Sequence, residues 1–262
     1  MAKRVMMGGA IAGMLGGVVM IGLMMIVMGA QGSGYATPLN LGIPAFAKTI
    51  TPPLSMMPTM MSGMGIHLPA DAMSKLAPAF QSGHLSPEMM KQVGGMLQGM
   101  HLPAAKMQMI NDVMAGHASN STVTDLLKGM SPSARHAAMD AMPVTAGNVV
   151  IGLITHFALA VILGVMFAML IIGVGIERLS ISALRNPAAI VATTTVAAAM
   201  VYVVNRWVIL PAIDPMMQLA PQGWFFIAHL LFGLVVGAGV TMIASREGLL
   251  RGGMQGVAPA VS

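Results

Sequence analysis

Three side chains with acid–base or metal-binding capacity stand in stretches that are otherwise almost wholly apolar: His156, Arg206 and His229. His156 is followed at four-residue steps by Ala160, Gly164 and Ala168, and His229 by Gly233, Gly237 and Thr241. On a helix each histidine therefore heads a ridge of small residues, the device that lets membrane helices approach closely. Counted from the ends of their apolar runs, the three groups fall at similar depth, with Asn148 and Asn205 nearby in height. A polar group in hydrocarbon is costly unless it is paired, so such groups turn toward the bundle interior or toward water. Two arrangements satisfy that demand. Either the three converge on a ligand, proton or cofactor, or Arg206 snorkels to headgroups or to Asp214 while each histidine bonds a helix carbonyl. Imidazoles on two facing helices also raise the question of b-type haem, for which the small residues beneath each ring would leave room. Haem b is disfavoured here, because Arg206 would be the single buried cation available to it.

A second cluster is sulfur-based. Met56, Met57, Met60, Met61 and Met64 have the close spacing of thioether sites, and soft sulfur selects Cu(I). His67, His84 and His101 could add imidazole ligands, as could His117 and His136. Copper is thus a candidate cofactor of the segment 56–142. Methionine is denser still in the first apolar run, at Met6, Met7, Met14, Met20, Met24, Met25 and Met28, where a copper role makes no sense; the same bias lets the outer methionines be read as replacing leucine as flexible core fillers. The chain has no cysteine, which removes disulfides, thiolate metal sites and a thiol nucleophile. No G-x-S-x-G, H-E-x-x-H, P-loop or dinucleotide fingerprint occurs, and Asp71, Glu88, Asp112 and Asp125 are isolated carboxylates on solvated faces. The expectation is a protein that is not an enzyme.

The elements that must position these groups follow from composition. The chain is 56% hydrophobic and 8% charged, with mean hydropathy +0.80. A soluble domain carries about a quarter charged residues, so much of this surface must face lipid. Four stretches reach the ~20 apolar residues needed to cross a bilayer: 1–30, 146–178, 187–211 and 223–245. The first run is longer than the ~7–15 residues of a signal-peptide core and ends in a poor cleavage site, so an uncleaved anchor is expected. Lys3, Arg4, Arg178, Arg185, Arg246 and Arg251 all fall on one side of a four-crossing arrangement, whereas the link Pro211–Gly223 has Asp214 and no cation. The positive-inside rule then places both termini and the tail 246–262 in the cytoplasm, and residues 31–145 outside. Trp207 and Trp224 flank the link at interfacial depth. Before the third crossing, Asn186 and Pro187 supply an N-cap and a first helical residue. The net charge of +5 is spread thinly and no basic run exists, so nucleic acid is not an expected partner; the lipid bilayer and other membrane protein subunits are.

The outer segment repeats itself. His67-Leu68-Pro69, His84-Leu85-Ser86 and His101-Leu102-Pro103 recur at a spacing of 17, each ahead of a helix-favouring run. Ser86-Pro87-Glu88 reads as N-cap, N1 and N2, and Ser131-Pro132-Ser133 is a looser fourth start. Met90, Val93 and Leu97, and likewise Met107, Ile110 and Met114, form apolar faces that only stacking can bury. Pro78 and Gly94-Gly95 are expected to interrupt the runs. A helical repeat domain is predicted over 65–145, preceded by a Pro/Gly/Met-rich linker, 31–64, running along the membrane surface.

The segments Thr155-His156-Phe157 through Gly164-Val165-Met166-Phe167, Asn205-Arg206-Trp207 with Leu210-Pro211, and Ala228-His229-Leu230 with Phe232-Gly233 and Gly237 resemble uncharacterised small bacterial inner-membrane proteins of the YagU-like families. The resemblance spans roughly 1–45 and 145–245; the Met-rich insert 50–142 departs from it. It implies a four-helix membrane protein and assigns no activity. The expected fold is all-α, an integral membrane four-helix bundle with a small extracytoplasmic domain of short helices. The expected function is that of an accessory or structural subunit docking onto a larger membrane complex through its Gly/Ala ridges and outer domain. The alternatives are a metal-handling protein using Met/His segment 56–142, and a small channel, transporter or haem protein around His156, Arg206 and His229.

Overall fold

The computed structural model describes residues 1–41, 54–63, 65–82, 85–100, 102–115, 117–140 and 144–250. Among these the chain is all-helical, and four helices are long and apolar enough to cross a membrane: Ala2–Ala30, Ala146–Arg178, Pro187–Ile213 and Gln222–Arg246. The first is α1 (Ala2–Ala30). The second is α9 (Ala146–Ala168), whose last turns widen to a π-helix over Met169–Arg178. The third is α10 (Pro187–Val204), widened over Asn205–Ile209 and closed by α11 (Leu210–Ile213). The fourth is α12 (Gln222–Arg246). Between the first two lie α2 (Thr37–Leu41), α3 (Met57–Gly63), α4 (Ala70–Ser82), α5 (Pro87–Gly99), α6 (Ala104–Met114), α7 (Asn120–Gly129) and α8 (Pro132–Asp140). The chain divides into two compact units, 1–27 with 150–204 and 222–262, and 28–149 with 205–221.

The first unit holds four helix segments whose neighbours can be read from their glycines. A methyl group added to Gly9 would overlap Ala168 Cβ and the Gly164 carbonyl, and one added to Gly13 would strike the Ala160 carbonyl. One on Gly16 would meet Phe232, and one on Gly8 would meet Ile243. Helix α1 therefore runs antiparallel to both α9 and α12 and is packed against each. On its other side α12 lies against α10, since Gly233 faces Thr195 and Ala198 while Gly237 faces Val191 and Thr194. Phe167, Ile172, Val236, Val240 and Ala244 fill the space between helices. Outward the unit is apolar: Ile26, Ile154 and Val196 are each more than 60% exposed. A water-facing surface would not carry that pattern; a hydrocarbon-facing one must. Arg4 at the start of α1 reaches Glu247, just past α12, at 3.5 Å, so these two helix ends share one side of the unit. The predicted cap of the third span is present, with Asn186 Oδ1 accepting the Ala188 N–H at 2.9 Å.

The second unit has a core of thioethers and aliphatics. The helices α4, α5 and α6 begin three residues after His67, His84 and His101, and Ser86 Oγ accepts the Met89 N–H at 3.2 Å as the N-cap of α5. Val93 and Leu97, and Ile110 and Met114, are buried on the expected faces, with Met90 and Met107 half-buried. Ser131 Oγ caps α8 by accepting from Ala134 N.

Three features differ from the sequence reading. Pro78 lies inside α4 and Gly94-Gly95 inside α5 without breaking either. Burial of Leu76, Ala79 and Phe80 in the one, and of Val93 and Leu97 in the other, outweighs a local propensity cost of ~3 kcal/mol for proline and ~1 per glycine. Residues 54–63 are not a surface linker: a 3₁₀ turn, Leu54–Met56, leads into α3, and this segment packs against α4, α7 and α8. Methionine at positions i, i+1, i+4 and i+5 gives it one continuous apolar face. Its end is a glycine cap: Gly65 takes φ +77°, a conformation that disfavours any Cβ, so that Ile66 N–H can reach the Met61 carbonyl at 2.8 Å. Finally, α7 begins at Ser119, whose Oγ accepts the Thr122 N–H, a start that the repeat spacing does not mark.

Candidate functional site

The intramembrane histidines belong to the first unit. His156, on α9, is half-buried, and its Nε2 lies 2.9 Å from the Gly17 carbonyl of α1. A carbonyl can only accept, so Nε2 carries the proton and Nδ1 is the bare nitrogen of the neutral ring. His229, on α12, is 4% exposed, and its Nδ1 lies 2.8 Å from the Phe225 carbonyl one turn earlier. By the same argument its proton is on Nδ1. The two rings are thus held as opposite tautomers.

His229 sits in an aromatic cage that the sequence did not announce. Phe225 meets its ring edge-to-face at 4.6 Å between centroids, and Tyr202 does so at 5.4 Å from α10. The Tyr202 hydroxyl reaches the Gln222 carbonyl at 3.4 Å. Tyr202 is the lone phenol of the third span, and that was the available signal. His156 has a weaker version of the same environment, Phe157 at 5.4 Å.

The small-residue ridges do not open a cofactor space. That of His156 is filled by the backbone of α1, because a methyl on Gly164 would overlap the Gly9 carbonyl and the Cα of Gly13. That of His229 is filled by α10 through Thr194, Thr195 and Ala198. A single methyl does not fit in either place, so a macrocycle does not fit. The two ridges also face different partners, α1 for that of His156 and α10 for that of His229. Arg206, half-buried in the π-helical turn after α10, belongs to the second unit and not to the histidine-bearing one.

The sulfur cluster lies inside the second unit. Met56, Met57, Met60 and Met61 are all at most 1% exposed, whereas His67 is exposed at the surface. His84, His101 and Met64 lie outside the described residues. His117 is exposed, and His136 donates from Nε2 to the Gln31 carbonyl and meets Ser33 Oγ at 3.2 Å, which ties the chain leaving α1 to α8. Among the described residues no three His, Asp or Glu side chains come together. The four thioethers thus pack as core.

Two further places in the second unit carry polar atoms. An open groove of about 480 Å³ between α3 and α8 is lined by Thr59, Ser62, Ser131 and Ser133 with Pro58, Gly63, Ala134 and Ala137. Beneath α7, the 3₁₀ helix Pro215–Leu219 buries Asp214, at 1% exposure, and Gln218, at 2%. Burial in this water-poor setting pushes the Asp214 carboxyl up from 3.8 to about 7, against the backbone N–H groups of Met217 and Met216, which favour its charged form. The sequence offers Asp214 in this link as a possible partner for Arg206, and nothing in the composition of Pro211–Gly223 marks it as buried. No protein-family model matches the chain, and no curated protein or solved structure shows significant similarity to it.

Proposed function

We propose that the protein is a non-catalytic accessory subunit of a bacterial inner-membrane complex, with both termini cytoplasmic and the 31–145 region outside. In this reading the four-span unit is an anchor and the Met-cored helical unit is the docking module. The observation that carries it is the use already made of the intramembrane groups. Both histidines are engaged to backbone carbonyls, and the glycine ridges of α1, α9 and α12 are packed against helices of the same chain. Ridges so occupied are not free to receive another protein, so docking is assigned to the second unit, with the serine- and threonine-lined groove between α3 and α8 as its contact face. Orientation rests on Lys3, Arg4, Arg178, Arg185 and Arg246 at one set of span ends.

The experiment is site-specific photo-crosslinking in native membranes. A photoreactive residue at Ser133, in the groove, should yield one discrete adduct, whereas the same residue at Ile154, on the apolar face, should yield lipid adducts alone. Adducts at Ile154 and none at Ser133 would overturn the assignment. The copper reading has less support, because the thioethers are buried core and His67 is exposed.

A further inference from the structure

The link between the third and fourth spans is held down by α7. Asn120 Nδ2 donates to the Ala212 carbonyl, and Thr124 Oγ1 donates to the Pro211 carbonyl at 3.5 Å. The 3₁₀ helix that follows packs against α7, α8 and α11. Asp214 Oδ1 and both polar atoms of the Gln218 amide are buried there without a hydrogen-bond partner among the described residues. Unmade hydrogen bonds at three buried atoms are a heavy cost for one short element. An ionised carboxylate can accept from the amide N–H but has nothing to offer the second bare acceptor, the amide oxygen. A protonated one supplies a donor.

We propose that Asp214 is a proton-operated latch: the docked link holds the neutral acid, and loss of that proton to solvent releases the link from α7 and α8. The other ionisable groups on the described elements packed against the link are placed as follows. On α7, Asp125 and Lys128 face each other at 4.0 Å with both side chains more than half exposed. On α8, Arg135 donates to the Met130 and Lys128 carbonyls, and His136 is committed to Gln31 and Ser33. Asp140 closes α8, α11 carries no ionisable side chain, and Arg206 lies in the π-helical turn before it.

The sign follows from the two proton affinities. The docked carboxyl titrates near 7 and the released one near 3.8. Docking is therefore undiminished below about 4, weakens about tenfold per pH unit as pH rises toward 7, and is constant above. Two measurements on the full chain in lipid test this. The first is an infrared pH titration with side-chain carboxyl-labelled aspartate. One aspartic acid band should persist through pH 6, disappear with a midpoint near 7, and be missing in Asp214→Asn. The second is thiol labelling of a cysteine at buried Met216, normalised to one at exposed Ser121, in this cysteine-free chain. Its protection should fall with the stated slope in the parent and be flat in Asp214→Asn. If Asp214→Asn does not fold, the infrared titration of the parent decides alone. Ionisation of every aspartate below pH 5, or the same protection slope in both proteins, overturns the latch.

Discussion

Replacing Gly164 with alanine tests the helix packing most directly. The added methyl would lie 2.5 Å from Gly13 Cα and 2.7 Å from Gly13 N, and would overlap the Gly9 carbonyl. All three atoms are backbone, so no side chain can swing away. Restoring ordinary contact at roughly 3.5 Å requires α1 and α9 to part by about 1 Å. A gap of that size forfeits between a quarter and a half of each ~0.1–0.2 kcal/mol contact; over on the order of 50 atom pairs the loss is about 2–3 kcal/mol. That agrees with the ~1–3 kcal/mol seen on overpacking a core. Alanine's better helix propensity offsets at most ~1 kcal/mol, leaving a net cost of about 2 kcal/mol, roughly a 30-fold shift in the folding equilibrium. The control is Gly22→Ala in the same bundle, where the methyl meets nothing within 4 Å, so that helix propensity alone acts and stability should rise by up to ~1 kcal/mol. Reversible unfolding of the purified chain in mixed micelles, followed by helix signal against denaturing detergent, gives both values. Equal midpoints for the two variants would refute the close approach of α1 and α9, and with it the argument that the ridges are occupied.

Other outcomes follow from the same packing. Single cysteines at Ser74 and Ser245, both exposed, should label with an impermeant reagent from opposite faces of sealed vesicles; labelling from one face would remove the four-crossing topology. Met60→Ala should cost ~2–5 kcal/mol as a core truncation, and Met60→Leu under ~1.5 kcal/mol, in an unfolding titration. If Met60→Leu instead abolishes high-affinity Cu(I) binding by the whole chain in a competition titration, the thioethers are ligands and the filler reading fails. His156→Leu should cost only about 0.6 kcal/mol, the typical worth of an interhelical membrane hydrogen bond, with retained assembly on a sizing column. Loss of folding would mean the ring does more than bond Gly17.

Much of the framework was readable from residue type and spacing. Runs of apolar residues revealed the four spans because the bilayer sets their length, and caps such as Ser86-Pro87 and Asn186-Pro187 marked helix starts because backbone N–H groups there need an acceptor. The all-helical class and the histidine-headed ridges came from the same periodicity. Periodicity names a face, however, and not its partner. Nothing in Gly164 or Gly233 says that one takes α1 and the other α10, and so the space beneath the histidines looked vacant when it is filled by backbone. Local propensity misled at Pro78 and at Gly94-Gly95, where tertiary burial decides. The Met56–Met61 cluster reads either as a ligand set or as core filler because methionine serves both chemistries; its complete burial is a property of the whole unit. Asp214 and Gln218 lie in a segment short and polar enough to pass as a loop, and their burial depends on α7, itself marked only by Ser119.

The central place of α1 between α9 and α12 has a consequence for biogenesis. This helix is made before both of its neighbours, and the surfaces that cover its glycines belong to segments translated more than a hundred residues later. At ~5–20 residues per second, α1 stands in the bilayer for on the order of ten seconds before α9 arrives, and longer before α12. During that interval Gly9, Gly13, Gly16 and Gly17 form a bare groove against lipid, open to any other helix with a small-residue face. Fidelity of insertion therefore depends on how soon the chain's own second span claims that groove, and slowing synthesis within 31–145 would lengthen the period in which α1 can pair wrongly.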